Sequence, residues 1–405
     1  MGSTPNVNIT RRGPRKWQAV ADWGRDRNGK RARAYHTIEG PASEGEAWRA
    51  AAEWARTAAQ PVTVHDLLTD YIEAKRLNGA AAQTVSQYRK VAKKAAAALP
   101  DVSPAEITTL QVSDALHGLI EHGADDGGPL SRSTVAQVYW FLCGAFDWAR
   151  DVRMVVDDNP VRQADHPQPE RREAVALSPA DLARLEEWTG ATLAGDVSTD
   201  ANVAMAALVA LHAGLRVGEV CGLRACDVGD PRGSVAVRGT VIEPEGRPYR
   251  QPKTKTASGM RNVAMDATLA GAVRDHLEWQ RGRLDPYGEG SPLVTNGGGW
   301  MRPRAVSQRF GETARALGLT PGVTFHSLRH TFATYQLRAG VPIKTVSERL
   351  GHAKIETTLA IYGHMLAGDD EQAARDLDMA YRASVEGVTR GGAAAAGRRY
   401  PQVVG

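Results

Sequence analysis

Between Thr324 and His364 the chain reads TFHSLRHTFATYQLRAGVPIKTVSERLGHAKIETTLAIYGH, and this stretch limits the possible folds more than any other. His326 and Arg329 are three residues apart and share one face of a helix. Gly340 and Pro342 end that helix and open the next. Ile343, Val346 and Leu350 then recur at helical spacing, and Gly351 supplies a C-terminal stop just before His352. A last helical segment carries Thr357, Leu359, Ile361 and, ten residues after His352, Tyr362.

A lone tyrosine in an apolar segment is ordinarily packing. Here a candidate nucleophile, candidate proton carriers and a phosphate-binding guanidinium fall within one short stretch. HSLRH, then LGH, then IYGH resemble the H-x-x-R, L-G-H and nucleophilic tyrosine boxes of the tyrosine recombinase (phage integrase) family. His326 and His330 also have the i,i+4 spacing of a zinc pair, but Ser327 stands where the metalloprotease form has Glu.

A chain of 405 residues is too long for one ordinary core, so several domains are expected. With 50 Lys and Arg against 46 Asp and Glu, the net charge of +4 decides little, and the distribution of charge matters more. Three cysteines at irregular spacing form no disulfide framework and fit a reducing cytoplasm. Cys221 and Cys226 have no matching Cys or His pair and read as buried packing. No stretch approaches eighteen apolar residues and the first residues lack an apolar signal core, so a soluble cytoplasmic protein without membrane contact is expected, in a bacterial host or phage-infected cell.

Residues 11–33 carry nine Lys or Arg, among them Arg11, Arg12, Arg15 and Lys16. Trp17, Ala19, Val20 and Trp23 precede the turn signal Arg27-Asn28-Gly29-Lys30, which suggests a hairpin. A helix over 43–59 follows, with Trp48 and Trp54 as packing anchors. Such a sheet suits DNA phosphates; it is equally the pattern of a solvated basic hairpin. The segment resembles the small domain with which many integrases bind arm-type DNA sites.

From Thr63 the texture turns helical. Thr63 to Asp66 resembles a capping box, and helices are expected from near Ala82, near Thr109 and over 131–148. Arg89, Lys90, Lys93 and Lys94 share a basic face, a pattern that is most often merely solvated. In the family's context it resembles the core-binding bundle that clamps one side of a duplex. Asn159-Pro160 ends this bundle, and the polar stretch after it reads as a linker. Ser178, Pro179 and Asp181 restart structure as N-cap, first helical position and dipole partner.

A helix over 201–213 is apolar nearly all round and must be buried, and it delivers AGLRVGEV at its end. On its own, Arg216 reads as the partner of Glu219 or of a distant carboxylate; with the downstream boxes it matches the family's first arginine box, with Glu219 as its organiser. Short strands are expected over 234–237, 239–242 and 261–265. Between the last two, Pro252-Lys253-Thr254-Lys255 resembles the family's lysine hairpin, with Lys253 the better match and Lys255 the runner-up. Arg302, Arg304 and Arg309, near a further helix start, suit DNA phosphates or plain solvation equally. An amphipathic helix over 370–383, expected to dock on a neighbouring protomer, and a flexible tail complete the chain.

The expectation is therefore a multidomain protein: a small α+β amino-terminal domain (1–60), an all-α core-binding bundle (61–162), a linker (163–176), a mainly α catalytic domain with a small antiparallel sheet (177–385), and a tail (386–405). The resemblance implies a site-specific DNA recombinase that cuts and rejoins DNA through a 3′-phosphotyrosine and needs neither metal nor ATP. By the same resemblance Tyr362 is the nucleophile, Arg216 and Arg329 clamp the phosphate, and Lys253 protonates the leaving oxygen. His326 accepts the proton of Tyr362, His352 donates to the phosphate, and His330 supports the site. The implied partners are double-stranded attachment sites, three further protomers on two duplexes, and accessory DNA-bending or directionality proteins.

Overall fold

In the computed structural model the described residues are 5–25, 31–57, 62–124, 127–169, 175–195, 199–228, 233–252, 259–363, 374–375, 377–379 and 381–382. The chain divides into two compact units, Met1–Arg172 and Glu173–Gly405. The turn at Arg27–Lys30 and both Lys253 and Lys255 lie outside the described residues, as do half of 370–383 and all of the tail.

In the first unit, alternation of apolar and polar residues gives three antiparallel strands in sequential order, β1 (Asn6–Gly13), β2 (Lys16–Arg25) and β3 (Arg31–Glu39). Trp17, Ala19 and Ile38 point to one face and pack on Ala47 and Ala51 of α1 (Glu44–Thr57). Trp54 also packs there, stacked on His36. Trp48 does not: at 40% exposure it lies off the helix face defined by Ala47, Ala51 and Ala55.

Four helices follow, α2 (Val64–Leu77), α3 (Ala82–Ala98), α4 (Thr109–His122) and α5 (Arg132–Asp151). Reciprocal capping boxes start α2 (Thr63 with Asp66) and α4 (Thr108 with Gln111). Their apolar stripes meet around Leu67, Leu116, Leu142 and Phe146. The bundle does not stop at Asn159-Pro160. Asn159 is buried and donates from Nδ2 to the Cys143 carbonyl and to Asp147, while Val161 and Ala164 enter the core. His166 stacks on Tyr139 with ring centroids 3.6 Å apart. The first half of the expected linker is thus held by side chains that polar composition concealed.

The second unit is built around α7 (Thr199–Ala213), buried on nearly every side. Before it lies α6 (Pro179–Ala194), whose N-cap Ser178 shares Asp181 with Thr320 in a buried network. After it come α8 (Val217–Cys221) and α9 (Ala225–Val228), with Cys221 buried but Cys226 exposed. Among the described residues of this unit the expected small antiparallel sheet takes the form of three antiparallel pairs. In these, β4 (Ser234–Val237) pairs with β7 (Arg261–Ala264), β5 (Thr240–Ile242) with β6 (Tyr249–Gln251), and β8 (Thr295–Asn296) with β9 (Gly299–Trp300). Helices α10 (Ala267–Arg281), α11 (Pro303–Ala316), α12 (Phe325–Arg338), α13 (Ile343–Leu350) and α14 (Ile355–Tyr362) complete the unit. Among the described residues no helix is long and apolar enough to cross a membrane.

Candidate active site

The turn after α7 is made by Gly214, whose φ of +67° favours glycine. A Cβ there would sit 2.4 Å from the ring of Phe332 on α12, so α7 and α12 approach closely at this point. The Gly214 carbonyl accepts NH1 of Arg329 at 2.6 Å. NH2 of Arg329 reaches the Leu350 carbonyl at the end of α13 (2.7 Å) and Nε2 of His352 (2.9 Å). Arg329 is 3% exposed, and burial, then the charge of Arg216, lower its pKa to about 9, leaving it cationic at neutral pH.

Because a guanidinium only donates, Nε2 of His352 presents its lone pair to Arg329. Its Nδ1 lies 2.8 Å from the Thr358 hydroxyl on α14. Desolvation and the charges of Arg329 and Arg216 push His352 down to about 4, so it is neutral. The donor role expected of His352 toward a phosphate is therefore not expressed by Nε2 in the free site.

Arg216 is the N-cap residue of α8. Its backbone N–H and its NH1 both donate to Glu219, at 3.0 and 2.9 Å, which leaves its half-exposed guanidinium facing the site. Glu219 is 4% exposed and has a second cationic partner, NH2 of Arg261 at 2.9 Å. Arg261 also donates from Nε to the Arg349 carbonyl at 2.6 Å. Consecutive carbonyls at the end of α13, Arg349 and Leu350, are thus each held by a buried arginine. Gly351 then reverses the chain at φ +67°, against the Arg261 guanidinium.

Tyr362, the last residue of α14, is 4% exposed. Its hydroxyl lies 2.7 Å from Nδ1 of His330, not beside His326. One helical turn decides this: His330 points from α12 toward α14, whereas His326, four residues earlier, is exposed at the mouth, its ring edge-on to that of His330 at 4.7 Å. The contact with the Tyr362 hydroxyl expected of His326 is made by His330. Desolvation raises the Tyr362 phenol to about 12, against the charge of Arg329. Desolvation, His326 and Arg329 lower His330 to about 4. Desolvation and the charges of Arg329 and Arg216 also lower His326.

The structure therefore brings Arg216, Glu219, His326, Arg329, His330, His352 and Tyr362 into one cluster. Among the described residues no group of His, Cys, Asp and Glu could hold a metal ion. Sequence reading missed Arg261 and Thr358. Strand alternation could have found Arg261, since it shares the inward face of β7 with buried Val263 and a buried arginine needs partners.

The expected DNA-contacting residues divide. Arg11 donates to the carbonyls of Gly13 and Pro14 and stacks over Trp17, Arg12 donates to Gln18, Lys16 pairs with Glu39, and Arg302 pairs with Glu243. Arg309 is held by Asp200 and Glu312. Arg15 and Arg304 are exposed, as are Arg89, Lys90 and Lys93 along α3, while Lys94 turns toward the Gly123 carbonyl.

The model of the phage integrase family matches residues 185–368. The integrase of Staphylococcus phage L54a is 26% identical over 185 residues, 44% of this chain and 51% of that protein, so the match spans about half the length of that relative. Tyrosine recombinase XerC of Herpetosiphon aurantiacus is 30% identical over 269 residues, covering 63% of this chain and 78% of its own. Among solved structures, a Tn1549 transposon integrase fragment in complex with a circular intermediate DNA has the same fold, with a TM-score of 0.63 at 22% identity, over 78% of this chain and 99% of that one. A λ integrase tetramer bound to a Holliday junction gives 0.52 at 20% identity, over 87% and 93%.

Proposed function

The chain belongs to the tyrosine recombinase (phage integrase) family, and from that premise we propose that it is a site-specific DNA recombinase that integrates or excises a phage or mobile element through a 3′-phosphotyrosine intermediate. The observation that carries this reading is the Tyr362 hydroxyl, buried against His330 beside two arginines and a second histidine aimed at the same space.

A DNA phosphate entering between Arg216 and Arg329 adds negative charge to a cluster in which Glu219 is already paired with Arg216 and Arg261. It raises the pKa values of the neighbouring histidines and stabilises both guanidiniums, which suit bidentate contact with the non-bridging oxygens. Arg329 then shares its NH2 with the phosphate, and His352, released from that donor, can itself donate to a non-bridging oxygen. His326 lines the mouth on the same side. The Tyr362 oxygen attacks phosphorus as its proton passes to His330, the P–O5′ bond breaks, and the leaving 5′-oxygen takes a proton. By family resemblance Lys253 gives that proton. One phosphodiester is exchanged for one phosphotyrosine ester, so rejoining is the same step reversed and needs no nucleotide hydrolysis.

The exposed cations of α3, with Arg15 and Arg304, suit backbone phosphates, and the outward face of the β1–β3 sheet suits a second class of DNA site. Four protomers on two duplexes, with accessory DNA-bending or directionality proteins, complete the proposed assembly. The domain limits given above and docking of the segment 370–383 on a neighbour belong to the same reading.

The test is a nicked attachment-site duplex in which the short strand released with a free 5′-hydroxyl diffuses away. A covalent protein–DNA band that forms in EDTA with the wild type and is absent with Tyr362→Phe bears the reading out. Tight, specific binding without any such band on cognate DNA sinks it.

A further inference from the structure

Glu219 is a buried carboxylate with two cationic partners, and one of them is outside every box that sequence reading identified. Oε1 takes NH1 of Arg216, and Oε2 takes NH2 of Arg261. The Arg216 side chain is 43% exposed, but that of Arg261 is only 7% exposed. All three nitrogens of Arg261 are committed: Nε to the Arg349 carbonyl, NH1 to that of Gly259, and NH2 to Glu219. When Arg216 shares its guanidinium with a phosphate, Glu219 loses part of the charge that offsets its burial. Arg261 is fixed and cannot leave.

We propose that Arg261 is a positioning residue of the reaction, holding Glu219 as a carboxylate against the end of α13 and thereby keeping Arg216 aimed at the phosphate. The proposal rests on the recombinase reading above. Arg261 touches neither the nucleophile nor, by its burial, the DNA. It joins the strand β7 to both Glu219 and the corner that presents His352, so one side chain sets the spacing of the first arginine box against the Leu350-Gly351-His352 box.

The charged and titratable groups facing Glu219 are Arg216 from α8, Arg261 from β7, Arg329 from α12 and His352 after α13. Desolvation alone would raise the Glu219 carboxyl; Arg261, then Arg216, bring it below its ordinary value. Removing the Arg261 charge therefore moves the carboxyl upward, and the clamp fails first on the acid side.

The experiment uses the full chain and the nicked duplex, with covalent-complex formation followed at saturating DNA from acid to alkaline pH. Wild type, Arg261→Gln, Glu219→Gln and the double variant form a cycle. Arg261→Gln is expected to slow cleavage by roughly 10- to 100-fold, with unchanged DNA affinity, and the loss should nearly vanish in the Glu219→Gln background. Its acid limb should move to higher pH. An equal loss in both backgrounds, or none in either, overturns the proposal. Should Arg261→Gln fail to fold, the same cycle with Arg261→Met, which also removes the charge, decides by the same two outcomes. A wild type that forms no covalent complex at any pH overturns the recombinase reading itself, which is a different failure.

Discussion

Nδ1 of His330 and the hydroxyl of Tyr362 are 2.7 Å apart, the direct contact of a ring nitrogen with the proposed nucleophile. His330→Gln is expected to slow formation of the covalent complex by about 10²-fold without changing DNA affinity, as removal of a proton acceptor does. Single-turnover cleavage of the nicked duplex measures it. A loss below about threefold would return the accepting role to His326.

In the free protein His330 and His352 are pushed to about 4, below the ordinary histidine value. The unfolded chain then binds more protons than the folded one between about pH 6.5 and 4, so stability falls as pH drops through that window and is full above it. Urea midpoints across this range should show the fall, and His352→Asn should flatten it. A midpoint that is constant from pH 7 to 4 would contradict the neutral state of both rings.

Gly214 gives Arg329 its carbonyl from a left-handed turn with no space for a Cβ beside Phe332. Gly214→Ala is expected to cost roughly 1–3 kcal/mol by overpacking, read by chemical denaturation, and to lower cleavage beyond that loss of stability. Retention of full stability would mean that α7 and α12 separate without consequence.

Asp181 is 2% exposed and accepts from Ser178 and Thr320. Desolvation opposes its charge, but those hydrogen bonds win and hold the carboxyl at about 2. Its contribution is present above about pH 4 and fades as pH falls through about 2. Asp181→Ala should cost about 1–3 kcal/mol at neutral pH, since it strands buried donors. Urea unfolding measures that cost, and a loss indistinguishable from zero would show that water replaces the network.

Lys90 stands exposed on α3. If it meets a backbone phosphate, Lys90→Ala weakens DNA binding across sequences and reduces the slope of log Kd against log salt by about 0.9. An unchanged slope assigns Lys90 to solvent.

Much of this was legible in the sequence because it is local. Ser178 and Asp181 announce a helix start, and the fully apolar run of α7 announces burial. The catalytic boxes carry their spacing with them. What sequence left hidden depends on partners far along the chain: Leu177 bonding Thr331, His166 finding Tyr139, and Arg261 reaching both Glu219 and Arg349. The choice between His326 and His330 is of the same kind, since both lie on α12 and only the placement of α14 tells them apart.

The end of α13 carries a consequence of its own. Two successive carbonyls are each gripped by a different arginine, and a left-handed glycine follows at once. One inserted or deleted residue turns a helix by about 100°, so neither grip would survive a change of length there. The short path from Arg349 to His352 thus acts as a gauge block: side chains around it can drift, but its residue count cannot.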